Sequence, residues 1–196
     1  MTEEKIRLDL GSFLFLLISI LSFTFISVNA LNIGLTKISL MSVVAIILII
    51  LGIVLGDYQL ELKMDLARFG RIIESSCIAL LGAIIVQLLG NQFSVVTSNY
   101  SILGFFVVLM ATAEEFFFRG ALLSVISKFS GYIVGIFVSS LIWTVFHYTV
   151  YGSNPQVLIV IFLSGLIFGF AVFHSKSLFP SIFAHSIVNL LGVLIR

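Results

Sequence analysis

Residues 101–126 read SILGFFVVLMATAEEFFFRGALLSVI, an apolar run broken at its centre by Glu114, Glu115 and Arg119. A membrane-spanning helix needs roughly 20 mostly apolar residues, and this run is long enough. Ionised side chains at bilayer depth are expensive, and they persist where they pair, face a cavity or do chemistry. Two later apolar runs carry matching groups: His147 in SSLIWTVFHYTV, and His185 with Asn189 in SIFAHSIVNLLGV. Three apolar segments thus supply two acids, a guanidinium, two imidazoles and a carboxamide. That is the inventory of a hydrolytic site inside a membrane protein.

The rest of the chain agrees with that reading. Its 196 residues are 60% hydrophobic and 10% charged, with a mean hydropathy of +1.26. A soluble domain would carry about 25% charged residues. The fold class is therefore all-α: a polytopic transmembrane helical bundle, one integral-membrane domain over 1–196. Continuous apolar runs, without alternation, argue against a β-barrel. Seven spans are expected, at about 10–31, 39–56, 75–95, 101–126, 131–151, 156–173 and 177–195. The polar interval 57–74, DYQLELKMDLARFGRIIE, reads either as an amphipathic helix at the interface running into the third span, or as a solvated loop. An interfacial or re-entrant helix would raise the number to eight.

Orientation follows from lysine and arginine. With the N-terminus inside, Lys5, Arg7, Lys63, Arg68, Arg71, Lys128 and Lys176 face the cytoplasm, against Lys37 and Arg196 outside. The expectation is a multi-pass protein of the plasma membrane with a cytoplasmic N-terminus and an external C-terminus. Val28-Asn29-Ala30 has the small-residue pattern of a signal-peptidase site, but the run before it exceeds a signal h-region, so the first segment reads as retained. Cys77, the single cysteine, reads as a small packing residue. Gly131 with Gly135, and Gly165 with Gly169, have the spacing of close helix packing. His174, beside Lys176, reads as interfacial. No basic patch suits nucleic acid, and no segment specifies an oligomeric state.

Glu115 and Arg119 are four apart and share a helix face, where they can neutralise one another. Glu114 is rotated by about 100° and can face a different cavity. With one acid held ionised by Arg119, the other is free to exchange protons, which suits a general base. The bland alternative for Glu115–Arg119 is an interhelical clamp. That alternative accounts poorly for Glu114, which has no second cation nearby in sequence. His147 follows Trp143 by four residues; Tyr148 and Tyr151 beside it fit an ordinary interfacial histidine equally well. By the expected boundaries it lies within a turn or so of the outer end, while Glu114 and His185 lie near mid-membrane. His185 and Asn189 share a face, and together they can donate hydrogen bonds to an oxyanion or simply bridge helices.

Together these residues resemble the CAAX-protease and bacteriocin-processing (Abi) family of intramembrane proteases, which includes the type II CAAX prenyl endopeptidases. The EExxxR motif is matched by Glu114-Glu115-Phe-Phe-Phe-Arg119, followed by Gly120. The usual FxxxH appears as Trp143-Thr-Val-Phe-His147, with Trp for Phe, and HxxxN as His185-Ser-Ile-Val-Asn189. The resemblance covers about 100–192, the expected catalytic core. It implies a bundle enclosing a hydrophilic cavity, and peptide-bond hydrolysis by a glutamate-activated water. Carried over, Glu114 is the base and His147 helps hold the water. His185 and Asn189 stabilise the oxyanion, and Glu115 with Arg119 orients helix and substrate.

No cofactor is expected. Zn²⁺ is the alternative, since two Glu and two His are possible ligands. Neither Glu has a His within one turn, as HExxH sites do, and assembling ligands from three helices leaves Arg119 beside the cation. The expected partners are the bilayer and a membrane-associated or lipidated peptide or protein substrate. Competing readings are a non-catalytic scaffold or immunity protein on the same fold, and a small transporter or proton channel.

Overall fold

The computed structural model describes residues 5–32, 34–60, 65–90 and 100–194. Its elements run β1 (Ile6–Leu8), α1 (Leu10–Asn32), α2 (Thr36–Leu55), β2 (Tyr58–Leu60), α3 (Leu66–Leu89), α4 (Tyr100–Glu114), a π-helical stretch (Glu115–Leu122), α5 (Leu123–Ser130), α6 (Tyr132–Tyr151), α7 (Pro155–Ser175) and α8 (Phe179–Leu194). Backbone angles stay helical through Glu114, Leu122 and Leu123, so α4, the π-helical stretch and α5 form one rod. Four helices, α1, α2, α3 and α7, are long and apolar enough to cross a membrane. Shorter apolar helices occupy Tyr132–Tyr148 and Phe179–Gly192. The protein is an integral-membrane helical bundle.

In lipid every backbone N–H and C=O must be satisfied within its own segment, which is why these runs fold as helices. The bundle keeps an apolar core but, unlike a soluble protein, carries an apolar exterior as well and buries many small hydroxyls. Leu17, Ile47, Ile50, Val54, Leu81 and Ile85 are exposed, whereas Ser19, Ser42, Ser76, Ser140 and Ser164 are buried. Lipid tails are as apolar as leucine, so close contact between small residues holds such helices together. Gly165 lies against Ser140, where an added methyl would stand 3.0 Å from its Cβ, and Gly169 lies against Ile136. Gly131 departs from the expected packing role. It takes φ +79° in the turn between α5 and α6, with open space beside it.

Around the central α4–α5 rod, α1 and α2 pack on one side, α3 lies against α7 and α8, and α6 lies between α5 and α7. Helix ends are capped by side chains. Asp9 accepts from the Ser12 N–H at 2.9 Å and also takes the Ser177 hydroxyl, tying the start of α1 to the start of α8. Asp65 accepts from the Arg68 N–H at 2.7 Å. Asn154 caps α7 with Pro155 in its first turn, where a missing N–H does no harm.

Several expectations need correcting. The interval 57–74 is no helix of its own: Tyr58–Leu60 is a strand pairing in parallel with β1, 61–64 lie outside the described residues, and 66–74 are the first turns of α3. The third helix thus begins nine residues before the expected 75, because Asp65 provides a cap and the charges of 66–74 lie on the α3 exterior with Arg68 the buried exception. Among the described residues no eighth interfacial or re-entrant helix is present. Cys77 is exposed on α3 rather than packed, since Ser76 and Ala79 take the inward positions. The strands hold Lys5 beside Asp57, and Asp57 also meets Lys128, at 2.7 and 2.8 Å. Lys176 lies over the Tyr132 ring, so these basic groups gather at one end of the bundle.

Candidate active site

The π-helical stretch starts at Glu115 and places both acids, with Arg119, on the inward side of the central rod; all three are buried. Such departures from α geometry recur at functional sites. The two adjacent carboxylates have separate partners. Arg119 donates to Glu115 Oε1 at 3.0 Å, and the His185 ring meets the same oxygen through Nδ1 at 2.9 Å. The Trp143 indole N–H donates to Glu114 Oε2 at 2.7 Å. That oxygen lies 3.6 Å from His147 Nε2 and 4.0 Å from His185 Nε2. His185 therefore stands between the two acids, one ring nitrogen toward each.

The buried guanidinium is further accommodated by aromatic faces. Arg119 Cζ lies 4.2 Å from the Trp143 ring centre and 5.7 Å from that of Phe168, an arrangement that stabilises a desolvated cation. Its Nε and second terminal nitrogen have no hydrogen-bond partner among the described residues. Phe168 also stacks on the His185 ring, and Tyr151 stacks parallel to His147. His147 and Tyr151 are less buried than the acids, so the site opens toward the C-terminal end of α6.

The mismatch in depth between His147 and Glu114 is resolved by side-chain direction. Helix α6 ends at Tyr151, with Gly152 at φ +63°, and does not extend through the following loop. In a helix the side chain leans back toward the N-terminus. The His147 ring does so, placing Nδ1 3.0 Å from the Trp143 carbonyl and Nε2 a turn deeper, at Glu114. A carbonyl only accepts, so Nδ1 carries the proton and the Nε2 of a neutral His147 presents a lone pair to the acid.

Of the six residues singled out in the sequence, five converge here: Glu114, Glu115, Arg119, His147 and His185. Asn189 lies one turn beyond His185 on α8, half-buried, its carboxamide engaged by no hydrogen bond among the described residues. His185 is thus joined to the acids and not to Asn189. His174 lies elsewhere, exposed, with Nδ1 3.1 Å from the Ser75 hydroxyl. Sequence reading missed Trp143 as a partner of Glu114. The available signal was a lone tryptophan in a buried run, whose indole N–H needs an acceptor.

Among the described residues no set of three or more His, Cys, Asp or Glu side chains is arranged to hold a metal ion. The nearest approach is Glu114 with the two Nε2 atoms. However, Oε2 is taken by Trp143, and Arg119 lies against the same indole. A zinc ion needs about three ligands at roughly 2.0–2.2 Å, and here it would meet a fixed cation.

Residues 96–191 match the family model described as type II CAAX prenyl endopeptidase Rce1-like. The match covers 96 of the 196 residues, so the likeness to the Rce1-like family is one of that segment. No curated protein and no solved structure matches the chain. The Rce1-like segment spans the central rod, α6, α7 and nearly all of α8, and so contains every residue of the cluster. Helices α1 and α2, which pack against the rod from outside, lie beyond the match.

Proposed function

We propose that the chain is an intramembrane endopeptidase that hydrolyses a membrane-associated, lipidated peptide with a water activated by Glu114. One observation carries the reading. A single carboxylate oxygen, fixed by an indole N–H at 2.7 Å, faces the Nε2 atoms of two histidines from two other helices at 3.6 and 4.0 Å. Two acceptors facing across such a gap repel unless a donor lies between them. Water supplies two O–H groups, one toward Glu114 and one toward His147, and is left with lone pairs for attack.

The reaction balances on the chain's own residues. The water oxygen adds to the scissile carbonyl as Glu114 takes a proton. The oxyanion is met by the Asn189 carboxamide and by the His185 ring, which Glu115 holds in place. Collapse breaks the C–N bond, and Glu114 returns its proton to the leaving amine. Glu115 and Arg119 fix the His185 ring and the rod, and no metal takes part. Recognition occurs within the bilayer or at its face. The basic end formed by Lys5, Lys128 and Lys176 lies in the cytoplasm by the positive-inside rule, and the protein resides in the plasma membrane.

The test is cleavage of lipidated and unlipidated peptides by protein in liposomes, wild type beside Glu114→Gln, each with and without chelator. Cleavage that is abolished in the variant and indifferent to chelator is expected. Full activity in Glu114→Gln sinks the glutamate mechanism, and loss with chelator restores the metal.

A further inference from the structure

Tyr58, outside the Rce1-like segment, places a polar group on the backbone of the acid-bearing rod. Its hydroxyl donates to the Phe116 carbonyl at 3.2 Å, inside the π-helical stretch. Its ring packs against Phe116 with 6.0 Å between centres. Gly120, directly after Arg119, leaves the space the hydroxyl occupies, and a methyl there would collide with it. Helix α2 closes on the same turn through Gly52, where a methyl would stand 2.7 Å from the Phe116 carbonyl.

Tyr58 is itself held in place. It belongs to β2, paired with β1 in the register Ile6 with Tyr58. Its neighbour Asp57 is bound by Lys5 and Lys128, and the β1 backbone is tied to the α7–α8 turn, Arg7 N–H to the Lys176 carbonyl at 2.8 Å. Burial pushes the Tyr58 hydroxyl above its ordinary value, so it remains a donor at any working pH.

We propose that Tyr58 is a positioning residue: its hydroxyl, carried by the β1–β2 ribbon, pins the π-helical turn and thereby sets where Glu114 and Glu115 stand. In a rod that switches from α to π geometry at Glu115, a hydrogen bond one residue later acts where the direction of both carboxylates is decided. The catalytic consequence rests on the proposed hydrolytic reading, but the pinning does not.

Trp143 is the single tryptophan, and its N–H is on Glu114, so its emission reports the position of that acid without any turnover. In Tyr58→Phe the fold and the thermal midpoint stay close to wild type, Trp143 emission shifts, and kcat falls about tenfold with KM unchanged. Gly120→Ala, which displaces the hydroxyl by another route, gives the same emission shift. Gln59→Ala, altering an exposed neighbour in the same strand, changes neither reading. Unaltered emission in both Tyr58→Phe and Gly120→Ala overturns the proposal. If wild type cleaves nothing, the hydrolytic reading fails, while the emission result still decides the pinning.

Discussion

Two charged clusters in this molecule look alike on paper and differ in every physical respect. At the basic end, Asp57 meets Lys5 and Lys128, with side chains 26%, 53% and 46% exposed. At the centre of the rod, Glu115 meets Arg119 with both side chains at 0%. The first cluster is wetted, and pairs of that kind contribute about 0–1 kcal/mol each. The second has left water, where desolvation rivals the Coulomb attraction and a buried pair is weak evidence for stability by itself. It also brings extra groups: a second acid, two imidazoles and an indole N–H. Charge held where it is expensive, with more chemistry than neutralisation needs, singles out the candidate site. Charge held where it is cheap marks a fastening.

The contrast breaks first at Glu114. Glu114→Gln keeps the indole hydrogen bond and the fold, but cannot accept a proton. Peptide hydrolysis is expected to fall by about 10²–10⁴-fold, the usual contribution of a positioned base, with the thermal midpoint near wild type. A variant that unfolds instead would make Glu114 structural, and the site would then resemble the clasp at the basic end.

Arg119→Met comes next and should act on stability. It leaves Glu115 buried without its guanidinium partner, and removing one member of a buried pair costs about 3–5 kcal/mol. Thermal unfolding in detergent should show a large drop. Glu115→Gln added to the same chain should recover part of it, since the orphaned charge is gone. Additive losses in the double variant would mean that the two residues do not act as a pair.

How much of this was legible in the sequence depends on which force was at work. The bundle was legible because lipid leaves the backbone no alternative to helix, and the spans follow from apolar runs alone. The Glu115–Arg119 pair was legible because spacing of four is a local rule. The π-helical stretch was not: Phe116, Phe117 and Phe118 are apolar in any register and carry no periodicity. Nor was the ribbon legible, since Asp57 finds its cations just before β1 and near the end of α5, far away in the chain. The place of His185 between two acids is likewise tertiary. Its ring faces Glu115 because α8 packs on α4, whereas the sequence paired it only with Asn189.

Trp143→Phe sharpens the comparison at smaller scale. It removes the N–H donor from Glu114 and part of the ring face under Arg119, yet leaves an aromatic of the kind the resembled motif usually holds. A hydrogen bond to a charged group contributes about 1.5–3 kcal/mol, so kcat/KM should fall by about 10–100-fold. Loss confined to KM would place Trp143 in substrate binding instead.

The smallest effect belongs to the basic end. Lys128, then Lys5, hold the Asp57 carboxyl below its ordinary value of 3.8. A folded-state value depressed below the unfolded one gives stability that is present above about pH 4 and lost as pH falls through the folded value. Asp57→Asn should therefore lower the thermal midpoint slightly at neutral pH, by less than about 1 kcal/mol of stability. The gap to wild type should close on acidification below about pH 4 and shrink in about 1 M salt, where screening acts within about 3 Å. Paired melting curves across that range decide it. A gap that survives both acid and salt would mean that Asp57 is as desolvated as Glu115. The two clusters would then differ in degree only, and the fastening would have to be treated as part of the site it holds in place.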